Sequence, residues 1–148
     1  MTLFFLDVNV WIALSVSGHP HHGEASYSLH RLENDSTLVF SGFTQLGLLR
    51  LLTNTAVMSD EALTLGEAWA VYDRWLQDPR VESYPEPRNA GAEFRLATEP
   101  FAAKSATKCL GDCWLLAFAE ASRARLVTFD KALHNLARKQ GNRAVIPD

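Results

Sequence analysis

The sequence predicts an α/β fold built on a parallel, doubly wound sheet, and three observations carry that expectation. Short apolar runs alternate along the chain with longer amphipathic segments, the pattern of strand–helix units. The first run, Leu3-Phe4-Phe5-Leu6, is continuously apolar, as a strand covered on both faces is. Acidic residues stand where such runs stop: Asp7 follows Leu6, and Asp130 follows Phe129. A parallel sheet gathers its strand ends at one carboxyl edge, where open α/β folds keep their sites.

Residues 3–6 form the first strand, and residues 8–16 follow as a helix that Gly18-His19-Pro20 breaks. A second helix covers residues 21–34, with Ala25, Leu29 and Leu32 on one face, before the turn Asn34-Asp35-Ser36. Residues 37–40 make the second strand. Ser41 or Thr44 caps the next helix, which runs through Leu46, Leu49, Arg50 and Leu52 to Thr53-Asn54. Ser59-Asp60-Glu61 opens another helix with an N-cap and early acidic residues, and Asp78-Pro79 ends it. Residues 81–84 are a third strand, and residues 89–103 are helical in pattern. Gly111-Asp112 starts the most apolar helix, through Trp114, Leu115, Phe118 and Ala119. Residues 126–129 form the fourth strand, residues 131–139 a helix and residues 144–146 a final strand. No repeat, linker or low-complexity segment divides residues 1–148, which read as one domain.

A chain of 148 residues buries roughly 70% of its unfolded surface. Its 47% hydrophobic content excludes disorder. No apolar run reaches the roughly 18–20 residues that span a bilayer, and the first residues lack the basic leader of a signal peptide. A cytoplasmic protein with no membrane contact is expected. A net charge of −3 excludes a globally basic nucleic-acid binder, because counterion release needs clustered Lys and Arg. A local patch is still open: past Ala121 stand Arg123, Arg125, Lys131, Arg138, Lys139 and Arg143 against Asp130 and Asp148. Cys109 and Cys113 are too few for a structural zinc site and are expected to be reduced thiols.

The candidate chemistry lies in Asp7, Asp112 and Asp130. Hard carboxylate oxygens converging on a sheet edge suit Mg²⁺ or Mn²⁺ rather than zinc. Asp7 leads from a strand into a helix, where open amides favour negative charge and phosphate. A plain helix cap also explains an aspartate at such a place, and the same holds for Asp112 after Gly111. Asn9 and Thr128 stand beside the acids as groups that can fix a carboxylate or a water.

The phrases Leu6-Asp7-Val8-Asn9-Val10-Trp11, Thr44-Gln45 through Thr53-Asn54, Asp112 and Thr128-Phe129-Asp130 occur in an order and spacing that resembles the PIN domain. The likeness is to the VapC-type toxins of bacterial toxin–antitoxin pairs, and it covers essentially the whole chain. His19-Pro20-His21-His22 is similar to a feature of some of these toxins. The resemblance implies a PIN-like three-layer α/β/α fold with a short central parallel sheet. It further implies a Mg²⁺-dependent endoribonuclease, with Mn²⁺ as a substitute, acting on tRNA, rRNA or mRNA. Asp7 and Asp112 would hold the metal directly or through water, and Asp130 would complete the acidic wall. Arg50 would hold the substrate backbone. A small VapB-like antitoxin covering the acidic site, and a toxin homodimer, complete the implied assembly.

One position departs from the pattern. Where the family carries a glutamate, this chain has Gln45, whose neutral amide can ligate weakly or hold a water but adds no charge. A one-metal site on Asp7, Asp112 and Asp130 is therefore the preferred reading. The main alternative is a catalytically weak PIN-fold module that binds RNA or protein, and Gln45→Glu separates the two by its effect on cleavage. An aspartyl phosphatase needs a second carboxylate where Asn9 stands, and a receiver domain needs its aspartate mid-chain. The segment from Gly42 to Gly47 lacks the lysine of a phosphate-binding loop. His19, His21 and His22 read as surface residues, and Trp11, Trp69, Trp75 and Trp114 as core or interface.

Overall fold

A computed structural model describes all residues from Met1 to Asp148. Its centre is a four-stranded parallel sheet of β1 (Thr2–Leu6), β2 (Ser36–Phe40), β3 (Val81–Ser83) and β4 (Arg125–Val127), in the order β3-β2-β1-β4. Phe4 lies opposite Leu38 on one side and Arg125 on the other. Side chains alternate across the pleat, so Phe4, Leu6, Leu38 and Phe40 face one layer while Phe5, Val39 and Leu126 face the other.

The first layer holds α1 (Val8–Ser15), α2 (His22–His30), α3 (Gly42–Leu52), the single turn α4 (Thr55–Met58) and α5 (Leu65–Leu76). The second holds α6 (Ala90–Thr98), α7 (Leu110–Ala121) and α8 (Lys131–Lys139). The expected three-layer α/β/α architecture is thus realised. Trp11, fully buried, stacks on Phe40 at 3.8 Å between ring centroids and meets Trp75 edge-on at 5.4 Å. Truncating such an aromatic costs about 3–5 kcal/mol. Gly47 lets α3 lie against α1, since a Cβ there would stand 2.6 Å from Val8 Cγ2.

Several boundaries move. Ser41 and Thr44 are partners in one capping box rather than alternative caps of α3. Residues 59–61 form only a short 3-10 turn, and α5 starts at Leu65 because Thr64 and Glu67 make a complete capping box. The second helix stops at His30, and the sixth ends at Thr98 before a 3-10 turn containing Pro100. Asp112 lies inside the first turn of α7, not at its cap position, which Cys109 occupies. The final segment pairs only once, Val145 with Val127. Its ladder cannot extend because side chains take the neighbouring groups: Asn142 Oδ1 accepts from Leu126 N at 3.0 Å, and Arg125 Nε donates to Arg143 O at 2.9 Å. Both cysteines are free thiols.

Candidate active site

Thr128 organises the acidic edge. It follows β4, is fully buried, and its hydroxyl donates to Asp7 Oδ2 at 2.8 Å. The same oxygen accepts from Asn9 Nδ2 at 3.2 Å and from the Asp130 amide at 3.0 Å. A hydroxyl has one proton to give and two lone pairs, so Thr128 is saturated. Asn9 closes the loop by accepting from Phe129 N at 3.2 Å. Residues from the ends of β1 and β4 are thereby locked to each other although they lie far apart in sequence.

Asp7 sits at the cap position of α1, and Oδ2 of its carboxylate accepts from Thr128. Burial pushes its pKa above the ordinary carboxylate value; the Thr128 bond opposes that rise, and the charge of Asp130 adds to it. Asp130 is a genuine N-cap: Oδ1 accepts from Ala132 N at 2.8 Å and Leu133 N at 3.1 Å, leaving Oδ2 free for another partner. Asp112, half-buried on α7, makes no side-chain hydrogen bond. Its pKa is also raised, first by burial, then by the charges of Asp130 and Asp7. The three aspartates therefore share one electrostatic neighbourhood.

The donor set is all carboxylate oxygen, with uncompensated negative charge that a hard cation relieves. No three acidic, histidine or cysteine side chains stand close enough together to hold a metal ion by themselves. The arrangement fits a cation that keeps several waters, as Mg²⁺ does, better than one held wholly by protein. Gln45 is half-buried in the first turns of α3, between Phe43, which faces Gly111 of α7, and Gly47, which faces Val8 of α1. Its amide makes no side-chain hydrogen bond, and its backbone N–H donates to Ser41 O at 2.9 Å. Arg50 is not brought to the acids: it is exposed in the last turn of α3, roughly 7 Å further along the helix axis.

Two features were missed in the sequence. Phe129, expected to end the fourth strand, lies beyond β4, and His21 stacks on it at 4.7 Å, beside the acids. His22 is half-buried, and its Nδ1 donates to Ala13 O at 2.8 Å, so it ties α2 to α1. Burial, then the charges of His21 and His22, lower the His19 pKa. The pairing of His21 with Phe129 left no periodic signal.

Fold and site together define an α/β domain with an acidic carboxyl edge. Residues 4–139 match the PIN domain. The chain is 37% identical to Ribonuclease VapC41 of Mycobacterium tuberculosis over 136 residues, covering 88% of this chain and 90% of that one. It is 29% identical to Ribonuclease VapC39 of the same species over 141 residues, 89% of this chain and 91% of the relative. Among solved structures, VapBC2 from Rickettsia felis, crystallised with a fragment of its promoter DNA, superposes with a TM-score of 0.74 at 15% identity, covering 99% of this chain and 100% of that one. VapC20 of Mycobacterium tuberculosis, a toxin that cleaves the Sarcin-Ricin loop, gives 0.64 at 14% identity over 97% and 99% of the two chains. The chain belongs to the PIN-domain family, within its VapC ribonuclease branch.

Proposed function

We propose that the chain is the toxin of a toxin–antitoxin pair, a Mg²⁺-dependent endoribonuclease hydrolysing phosphodiester bonds of tRNA, rRNA or mRNA in the cytoplasm. The single observation that carries this reading is the saturated Thr128 hydroxyl, which holds Asp7 and Asp130 together at the sheet edge within electrostatic reach of Asp112. The ribonuclease names of its relatives support RNA as the substrate class. No helix is long and apolar enough to cross a membrane.

Asp7, Asp112 and Asp130 would hold the metal, with Mn²⁺ as a substitute. When bound, the ion acidifies water and neutralises charge on the phosphate oxygens. The chain's own part is orientation. Thr128 fixes the plane of the Asp7 carboxylate, and Asn9 fixes Thr128 and the Phe129 amide, so the acids need little reorganisation on binding substrate. Gln45 offers a neutral amide oxygen to a water at the rim. Arg50 contacts the RNA backbone outside the acidic edge.

A VapB-like antitoxin offering a basic side chain to this edge, and a toxin homodimer, complete the proposal, with one catalytic domain spanning residues 1–148. The test is cleavage of total cellular RNA, then of individual tRNAs, by purified protein with Mg²⁺ or Mn²⁺. Fragments that disappear with EDTA and in Asp7→Asn support it. Intact RNA from a protein that still binds RNA or a partner supports a binding module instead.

A further inference from the structure

Beside the acids, on the β2–β3 side of the same edge, lies an aromatic cleft of about 520 Å³. That volume is within the range of small-molecule sites. Phe43, Tyr84 and Trp114 line it, and Ser41, Gly42 and Glu86 supply its polar groups. Its placement follows from the topology. Ser41 follows β2 directly, Tyr84 follows β3 and donates its amide to Phe40 O at 2.8 Å, and Trp114 stands two residues after Asp112 on α7. Strands lie about 5 Å apart, so the cleft is roughly 10 Å across the edge from Asp7.

Apart from the Ser41 hydroxyl, the polar groups here are unspent. The indole N–H of Trp114 and the hydroxyl of Tyr84 make no hydrogen bond within the chain, and Trp114 is braced edge-on by Phe94 at 5.4 Å. Ser41 caps only Thr44, so the first amides of α3, on Gly42 and Phe43, are without acceptors. A Cβ at Gly42 would meet nothing within 4 Å, so the backbone there is open to a ligand. Phe43 is 43% exposed, a large apolar ring left in solvent at the rim.

On the ribonuclease reading, we infer that this cleft is a subsite for one unstacked base of the RNA flanking the cut, and that it selects guanine. Aromatic faces stack any base, which provides affinity without choice. The choice comes from the polar edge. Guanine presents two adjacent donors, N1–H and the 2-amino group, beside the O6 acceptor. A carboxylate from Glu86 accepts the donors, and the open Gly42 and Phe43 amides donate to O6. Adenine lacks the N1–H and reverses the donor at position 6, and a pyrimidine offers a smaller stacking face. Phosphate is a poor occupant, because Glu86 repels it.

The test uses the whole protein without added metal, titrated with GMP, AMP, CMP and UMP and followed by the indole and amide signals of Trp114 and Gly42. The phosphate is common to all four, so differences report the base. Selective binding of GMP, weakened roughly tenfold in Glu86→Gln and in Tyr84→Ala, is the expected result. Equal binding of all four, no binding, or an unchanged preference in Glu86→Gln overturns the inference. The second arm is cleavage of short single-stranded RNAs differing only beside the cut. Here Glu86→Gln should still cut but lose base preference, whereas Asp7→Asn should cut none. Selective GMP binding without any cleavage by the unaltered protein sinks the ribonuclease reading and leaves the cleft standing. Cleavage with a base preference indifferent to Glu86→Gln does the reverse.

Discussion

The two halves of the carboxyl edge are built differently. On the β1–β4 side, the groups of Asn9 and Thr128 are bonded to each other and to Asp7 and Asp130. On the α3–α7 side, the side chains of Asp112 and Gln45 have no partner. The first half is fixed in position by folding, and the second is left for something to complete. Fixed carboxylates need no reorganisation when a reaction begins, which favours the bound half for orienting charge. Unpaired ones cost stability and keep their affinity for a cation.

The comparison can be broken at several points. The largest effect is expected from Asp112→Asn, which removes the free carboxylate without changing shape. Cleavage should fall at least about a thousandfold while the fold persists, read by RNA degradation and circular dichroism. Thr128→Val comes next, since it removes the saturated hydroxyl but keeps the volume. Activity should fall roughly 10–100-fold, with a loss of about 1–3 kcal/mol in denaturant unfolding. If Thr128→Val costs neither, the bound half of the edge is not preorganised.

A third change separates stability from function. Asp7 and Asp112 both bind protons more tightly in the folded chain than in the unfolded one. The contribution of these two groups to metal-free stability is therefore fully present below the ordinary value of 3.8 and is lost as pH rises through their raised values. Accordingly, metal-free Asp7→Asn should be more stable than the parent at pH 7, by about 0.5–2 kcal/mol, while being inactive. Thermal melts of both proteins at pH 4 and pH 7 decide it, because the gain should vanish at the lower pH. The smallest effect belongs to Arg50→Ala, which should weaken RNA binding about twofold to threefold and flatten its salt dependence without slowing the cleavage step.

Much of the edge was legible in advance, and the reason is local. Strand runs of continuous apolar residues announce burial on both faces, and an aspartate ending such a run has only one place to go. Asp7, Asn9, Thr128 and Asp130 were found that way, and the structure brings them into direct contact. Asp112 was read as an acid of this edge with a plain helix cap as the alternative, and the structure places it inside the first turn of α7 rather than at the cap; that placement depends on residues 107–109, whose 3-10 turn has no strong sequence mark. Arg50 stands exposed in the last turn of α3, away from the edge where that helix starts, a placement that no sequence spacing announces. The aromatic cleft was invisible because Phe43, Tyr84 and Trp114 come from three separate elements and share no spacing.

The claim that folding fixes one half of this edge and that a cation draws both halves together is tested most directly by melting the protein in millimolar Mg²⁺ or Mn²⁺ at matched ionic strength. The parent protein should gain several degrees, and Asp7→Asn and Asp112→Asn should gain little. A melting temperature that ignores both metals, or rises equally in all three proteins, would contradict it.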